Sequence, residues 1–179
     1  MRYFNESDIK KYQKKIILEN YDIKKVSLSS IKNNVFLSHS SQDIDKLESV
    51  ISFLEGYGVK VYIDKTDSNL PRVTSIETAQ ILKDNIKKSD KFIVLVSENS
   101  KNSKWIPWEL GIADIAKSNP NIALLPIAEN FPYWTKQEYM GLYSKVSRGN
   151  FDGCTEEIWM VWNHKKNTAV ELGKWLRRQ

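Results

Sequence analysis

Short apolar runs alternate with helix-like patterns along this chain of 179 residues. In the helix-like segments, apolar side chains recur every three or four positions, whereas the runs between them are nearly continuous in apolar residues. This alternation predicts an α/β fold, in which right-handed crossovers build a parallel five-stranded sheet with helices on both faces. The predicted strands are residues 35–37, 59–63, 92–96, 122–127 and 158–162.

The first helical pattern stands apart from this alternation. It covers residues 7–19, with Ser7 as the predicted N-cap, and the polar, serine-rich residues 26–34 that follow are typical of a linker. We therefore expect an N-terminal helix and linker at residues 1–32 and one domain at residues 33–179. The other predicted helices cover residues 44–54, 76–86, 106–117, 134–143 and 169–178.

The run at residues 92–96 contains apolar residues alone, which indicates a strand buried on both faces of a parallel sheet. In such sheets, ligands bind outside the carboxyl ends of the strands, where the strand order reverses. Three polar loops are predicted to meet at that edge, namely residues 38–43, 64–74 and 97–104. We expect the functional residues in these loops or in the helices that follow them.

Glu109 follows Trp105 by four positions, one helical turn, after the third of these loops. Because Pro107 fits only near a helix start, Glu109 is predicted in or near the first turn, where free N–H groups favour an ionised carboxylate. A fixed anion of this kind suits a reaction that develops positive charge, such as loss of nicotinamide from ribose. The alternatives are a glutamate that merely stabilises the helix start, and core or rim packing for Trp105 and Trp108.

The other polar loop residues also have two interpretations. Ser40, Ser41 and Asp43 lie in a strand-to-helix turn, where such residues commonly cap the helix. His39 is either a polar loop residue or a catalytic base. Asp64 follows a strand and is either a ligand contact or a turn residue.

Cysteine and histidine content limits the chemistry. Cys154 is the one cysteine, and His39 and His164 are the two histidines, so we expect neither an internal disulfide nor a structural zinc site. Cys154 has a structural role or, as the alternative, acts as a nucleophile; its flanking residues favour the structural role.

The charge and the hydropathy of the chain indicate whether a membrane or a nucleic acid is a partner. No apolar run is long enough to cross a bilayer, and the first residues lack the apolar core of a secretion signal, so a cytoplasmic protein is expected. The net charge of +5 comes from lysines and arginines spread along the chain. Without a basic cluster interleaved with aromatic residues, a nucleic acid is not expected as a partner. Without a long apolar run, a membrane is not expected as one either.

The order of four motifs resembles that of the Toll/interleukin-1 receptor (TIR) domain. The first box of that family is similar to VFLSHSSQD at residues 35–43, and the strand before its BB loop is similar to VKVYID at residues 59–64. Its third strand is similar to KSDKFIVLVS at residues 88–97. Ser103 together with residues 105–109 matches the Ser, Trp and Glu pattern of its enzymatic members.

This resemblance implies a flavodoxin-like fold and an NAD glycohydrolase or cyclase that needs neither a metal nor a cofactor, with NAD as its substrate. It implies that Glu109 is the catalytic glutamate and that His39, Ser40, Asp64 and Trp105 lie at or beside the NAD site. The expected products are ADP-ribose, a cyclic ADP-ribose isomer or an ADP-ribose conjugate.

The resemblance covers residues 33–127 and also implies partners. They are further copies of the chain, through TIR surfaces, and a downstream effector activated by the nucleotide product, as in anti-phage systems of the Thoeris kind. Two alternatives remain at this point: a TIR scaffold without activity, and a related nucleoside or nucleotide hydrolase.

Overall fold

The computed structural model describes residues 1–16, 34–63, 75–127, 138–150 and 155–177. Within these residues, seven strands form one sheet and five α-helices surround it. The strands are β1 (Asn34–Ser38), β2 (Lys60–Tyr62), β3 (Lys91–Val96), β4 (Ile122–Pro126), β5 (Ser144–Gly149), β6 (Ile158–Asn163) and β7 (Thr168–Glu171). The helices are α1 (Glu6–Ile16), α2 (Ile44–Glu55), α3 (Ile76–Lys88), α4 (Trp105–Ala116) and α5 (Leu172–Arg177).

The strand order is β2-β1-β3-β4-β5-β6-β7, and the first five strands run parallel. Strand β3 lies beside β1, with Phe36 paired to Phe92, and beside β4, with Phe92 paired to Ile122. The order 2-1-3-4-5 is that of flavodoxin-like folds, and it reverses between β1 and β3. The predicted parallel sheet is therefore confirmed for these five strands, and their order contains a switch point of the kind at which ligands bind.

Helices cover both faces of this sheet, as predicted. A hydrophobic core lies on each face of the sheet, and successive side chains of β1 point into one and then the other. Val35 and Leu37 pack with α2 and α5, whereas Phe36 packs with α3 and α4. All six residues of β3 are buried, which places that strand at the centre of the domain. The carboxyl ends of β1 and β3 thus emerge side by side from a rigid core.

The predicted count of five strands is wrong at the C-terminal side. The segment expected as the fifth strand, residues 158–162, is the sixth, and it pairs antiparallel with β5. Strand β5 reads SKVSRG, and its single apolar side chain, Val146, gives no apolar run to detect. The helix predicted at residues 169–178 begins only at Leu172, because Thr168–Glu171 form β7 and pair with β6.

The N-terminal segment packs into the same core as the sheet. Arg2 forms an isolated antiparallel β-bridge with Arg148, and Phe4 forms a parallel one with Ile127. The Phe4 ring is fully buried, and its centroid lies 4.9 Å from that of the Phe53 ring. The predicted N-cap at Ser7 is wrong. The side chain of Asn5 accepts hydrogen bonds from the backbone N–H groups of Ser7 and Asp8, at 3.0 and 3.2 Å, so the helix begins at Glu6.

Several predictions fall wholly or partly outside the described residues. These include the linker, Asp64 with its loop, and Cys154. Of the helix predicted at residues 134–143, the structure describes a 3₁₀ turn at Glu138–Leu142. The division of the chain at residue 33 stays a prediction. In the part of the chain that the structure describes, no helix is long and apolar enough to cross a membrane; a cytoplasmic location stays a prediction.

Candidate active site at the carboxyl edge of the sheet

The carboxyl end of β1 carries three consecutive polar residues that are all buried. Ser38 ends the strand with 1% of its surface exposed, and His39 and Ser40 follow it. The His39 Nδ1 atom lies 3.4 Å from the carbonyl oxygen of Leu37. The Ser40 hydroxyl accepts a hydrogen bond from the N–H of Gln42 at 3.4 Å and so caps the 3₁₀ turn Ser41–Asp43.

Helix α4 begins at Trp105, and its start is set by two residues. The Ser103 hydroxyl accepts hydrogen bonds from the N–H groups of Trp105 and Ile106, both at 3.3 Å. Pro107 is the third helical residue, a position where a backbone N–H has no partner within the helix. Its ring therefore removes no helical hydrogen bond.

Glu109 is the fifth residue of α4, just beyond the first turn. The influence of the helix dipole falls off within that first turn. Glu109 thus lies near the first turn, as predicted, but at a position where the helix dipole contributes little. A side-chain partner from another element holds it instead.

That partner is Ser38. Its hydroxyl donates a short hydrogen bond to Oε2 of Glu109. Both residues are buried, and Glu109 retains 6% exposure. A hydrogen bond that a hydroxyl donates to a carboxylate is stronger than one between neutral groups. The contact fixes a buried carboxylate at the carboxyl end of β1, beside the switch point of the sheet, where a ligand crevice is expected.

Trp105 lies one turn before Glu109, so both side chains project from the same side of α4. The Trp105 ring is half-buried and meets that of Trp108 edge to face, with 5.4 Å between centroids and 88° between planes. The Lys83 ammonium lies 6.0 Å from the centroid of the Trp108 ring. This packing fixes the orientation of Trp105, and its partial exposure leaves a surface on which a planar ring could stack.

Asp43 occupies the position before α2, but it does not cap that helix, so the capping interpretation is wrong for this residue. Its fully buried carboxylate accepts hydrogen bonds from the Ser97 hydroxyl at 2.5 Å and the Asn99 amide at 2.8 Å. The Lys46 ammonium lies 3.4 Å from the same carboxylate. Asp43 and Ser97 each lie in a loop that follows a strand, and the pairing of those two strands in the sheet brings the loops together.

The structure thus joins Ser38 and Glu109 at one edge of the sheet. His39 and Ser40 follow Ser38 directly in the chain, and Trp105 lies one helical turn before Glu109. Asp64 lies outside the described residues, so its place in the site stays a prediction. Among the residues that are described, no cluster of three or more His, Cys, Asp or Glu side chains is arranged to hold a metal ion. Metal independence stays a prediction.

Comparisons with known proteins agree with this architecture. The TIR domain family matches residues 35–152. The chain is 34% identical over 181 residues to the probable 3′ cyclic ADP-D-ribose synthase ThsB′ of Bacillus cereus (strain MSX-D12), with 98% of this chain and 89% of that protein covered. It is 27% identical over 95 residues to the putative cyclic ADP-D-ribose synthase TIR2 of Cytobacillus dafuensis, with 49% of this chain and 25% of that protein covered. The chain belongs to the TIR domain family.

Proposed function

We propose that this protein cleaves the bond between nicotinamide and ribose in NAD and releases a cyclic ADP-ribose isomer. The observation that carries the proposal is the buried Glu109 carboxylate, held by the Ser38 hydroxyl at the switch point of the sheet. Two relatives are named as cyclic ADP-D-ribose synthases, and these names support a reaction that forms a cyclic product. The full-length likeness to the Bacillus cereus protein favours the 3′ cyclic isomer as the product.

The carboxylate suits the first step of this reaction. When the bond between ribose C1′ and the nicotinamide nitrogen breaks, its electron pair leaves with nicotinamide, and the ribose approaches an oxocarbenium ion. Nicotinamide departs as a neutral base and needs no general acid. A carboxylate that is already oriented and shielded from water stabilises the developing positive charge, with little reorganisation during the reaction. The proposed step uses neither a metal nor a cofactor.

The second step decides the product. A hydroxyl of the same molecule attacks C1′ and loses its proton to give the cyclic isomer, whereas attack by water gives linear ADP-ribose. Intramolecular attack requires both ends of the substrate to be held close together. We assign Trp105 as a stacking surface for the substrate, and His39, Ser40 and Asp64 as further substrate contacts.

The proposed product acts as a signal. A cyclic nucleotide released into solution reaches a separate effector protein, which fits the implied role in anti-phage defence. Self-association of the chain through its TIR surfaces is part of the same proposal, with assembly as the step that activates the enzyme.

A substrate assay tests the proposal against both alternatives. The purified chain is incubated with NAD and, separately, with nucleoside monophosphates, in the presence and absence of a phage lysate. Chromatography with mass detection then follows nicotinamide, free bases and ADP-ribose products. Nicotinamide release together with a cyclic isomer is the expected result. Release of free base from monophosphates alone would instead identify a nucleotide hydrolase. If no product formed from any substrate under any condition, the chain would be identified as a scaffold.

A further inference from the structure

A buried polar cluster adjoins the candidate active site without belonging to it. We call it the Asp43 cluster, and it consists of Asp43, Lys46, Ser97 and Asn99. The Asp43 carboxylate is fully buried, and each of its two oxygens accepts at least one hydrogen bond: Oδ2 from Ser97, and Oδ1 from Asn99. Lys46 adds a positive charge 3.4 Å from Oδ1. A buried carboxylate with this many partners is costly to replace, because its partners are left unsatisfied.

The cluster continues into the backbone of the loop after β3. The Ser97 hydroxyl, besides donating to Asp43, accepts hydrogen bonds from the N–H groups of Asn99 and Ser100, both at 3.1 Å. In return, the Ser100 hydroxyl accepts from the N–H of Ser97 at 3.0 Å and donates to the Ser97 carbonyl at 2.8 Å. The shape of this loop is therefore fixed by hydrogen bonds at its first four residues.

The two segments that the cluster joins carry the proposed substrate contacts. The first leaves β1 through Ser38, His39 and Ser40 and reaches Asp43. The second leaves β3 at Ser97 and leads through Ser103 to the start of α4. Because β1 and β3 are adjacent and parallel, the Asp43 cluster ties the two segments together directly beyond the sheet.

We propose that Asp43 is a positioning residue that sets the partition between cyclic and linear products. This inference rests on the proposed function. The ribosyl carbon is captured either by a hydroxyl of the same molecule, which loses its proton and yields the cyclic isomer, or by water, which loses a proton and yields linear ADP-ribose. The first route needs a substrate held at both ends in a closed pocket. If the tie between the two segments loosens, water gains access and the linear product increases.

The test compares variants at three positions of the cluster with a control on α2, the helix that follows Asp43. Asp43→Asn keeps the shape of the side chain but removes its charge and one acceptor oxygen. Ser97→Ala and Asn99→Ala each remove one of the uncharged donors and leave the carboxylate and its contact with Lys46 in place. Ser49→Ala is the control, since Ser49 is fully buried in α2 and its hydroxyl makes no hydrogen bond among the described residues.

The measured quantity is the ratio of linear ADP-ribose to cyclic product, taken at equal nicotinamide release. Unfolded protein makes neither product, so loss of stability alone leaves this ratio unchanged. We expect the ratio to rise by roughly threefold or more in the three cluster variants, because small losses of alignment change the rates of intramolecular steps by large factors. The ratio in Ser49→Ala should equal that of the unsubstituted protein. In a double variant, Asp43→Asn with Ser97→Ala, the ratio should exceed that of the stronger single variant only slightly, because both substitutions act on the same Asp43–Ser97 contact.

Failure of this inference is distinguishable from failure of the proposed function. If the unsubstituted protein releases no nicotinamide, both are overturned. If it forms the cyclic product and the ratio is unchanged in Ser97→Ala and Asn99→Ala, the role of Asp43 alone is overturned. A rise of equal size in Ser49→Ala would also overturn it, because the ratio would then follow any change in the packing of α2.

Discussion

The hydroxyl of Ser38 donates a hydrogen bond to the carboxylate of Glu109, although 71 positions separate them in the chain. The contact joins the last residue of a central parallel strand to the second turn of a helix packed against the sheet. Both side chains are buried at the edge where ligands bind in flavodoxin-like folds. The proposed reaction depends on this relationship, because a carboxylate aids a developing cation only where its position is fixed.

Removal of the Ser38 hydroxyl should reduce turnover more than substrate affinity. In Ser38→Ala we expect kcat for nicotinamide release to fall roughly ten- to a hundredfold, the size expected when a hydrogen bond to a charged group is lost. The expected change in KM is small, because the hydroxyl orients Glu109 and is not assigned a contact with NAD. Steady-state kinetics with NAD measure both constants.

A matched serine controls for the loss of a buried hydroxyl. Ser147 is fully buried in β5, and strands β3 and β4 separate β5 from β1 in the sheet. Ser147→Ala should therefore leave kcat unchanged. If Ser38→Ala turned over NAD as fast as Ser147→Ala, Ser38 would have no role in orienting the carboxylate.

Trp105 should affect substrate binding. Stacking of a base on an aromatic side chain is worth about 1–3 kcal/mol, so Trp105→Ala should raise KM for NAD roughly tenfold. Trp105→Phe should recover part of that loss. Trp162, which is also half-buried but lies on β6, provides the comparison, and Trp162→Ala should leave KM unchanged. Equal values of KM in all these variants would remove Trp105 from the proposed site.

The N-terminal segment should be essential for stability. The Phe4 ring is fully buried against Phe53 and Trp159, at centroid distances of 4.9 and 5.8 Å. Phe4→Ala should lower the free energy of unfolding by about 3–5 kcal/mol, as large truncations in cores do. Urea denaturation measures the change. Ile76 is 87% exposed, and Ile76→Ala should change stability by less than about 0.5 kcal/mol. Similar values for the two variants would contradict the packing of Phe4 in the core.

Stability should fall in alkaline solution, in part through Tyr3. Burial raises the pKa of the Tyr3 phenol from 10.0 to about 12. Between these values the unfolded chain has lost the phenol proton while the folded protein retains it, so stability falls as the pH rises through this window. Below pH 10 both states are protonated, and the contribution of Tyr3 does not change with pH. In Tyr3→Phe the midpoint of urea denaturation should fall less steeply across the same window; identical slopes would show that Tyr3 ionises at its ordinary pKa.

Much of the fold was predictable from the sequence because the signals were local and strong. The continuous apolar runs of β3 and β4 and the helical spacing of α2 and α3 each require one kind of element. The alternation of these strands and helices also predicted which loops lie at the carboxyl edge of the sheet. Strand β5 was missed, since Ser144, Lys145 and Ser147 are polar residues that only the tertiary fold buries.

The candidate site was predictable in part. The sequence singled out Glu109 and placed it near the edge that holds His39 and Ser40, because strand ends and helix starts are set by local patterns. It did not reveal that Ser38 holds the carboxylate, or that Asp43 binds Ser97 and not the N-terminus of α2. Both contacts join segments more than 50 positions apart, and their geometry depends on how neighbouring loops pack above the sheet.

The most direct test of the proposed reaction compares two glutamates. Glu109→Gln keeps the size of the buried side chain and its ability to accept a hydrogen bond from Ser38, but it removes the negative charge. Glu98→Gln makes the same change at a side chain that is 82% exposed and forms an ion pair with Lys101. With both proteins folded, as judged by equal denaturation midpoints, nicotinamide release from NAD should fall in Glu109→Gln by roughly a hundredfold or more, and should be unchanged in Glu98→Gln. Nicotinamide release by Glu109→Gln at the rate of Glu98→Gln would contradict the assignment of Glu109 as the carboxylate that stabilises the ribosyl cation.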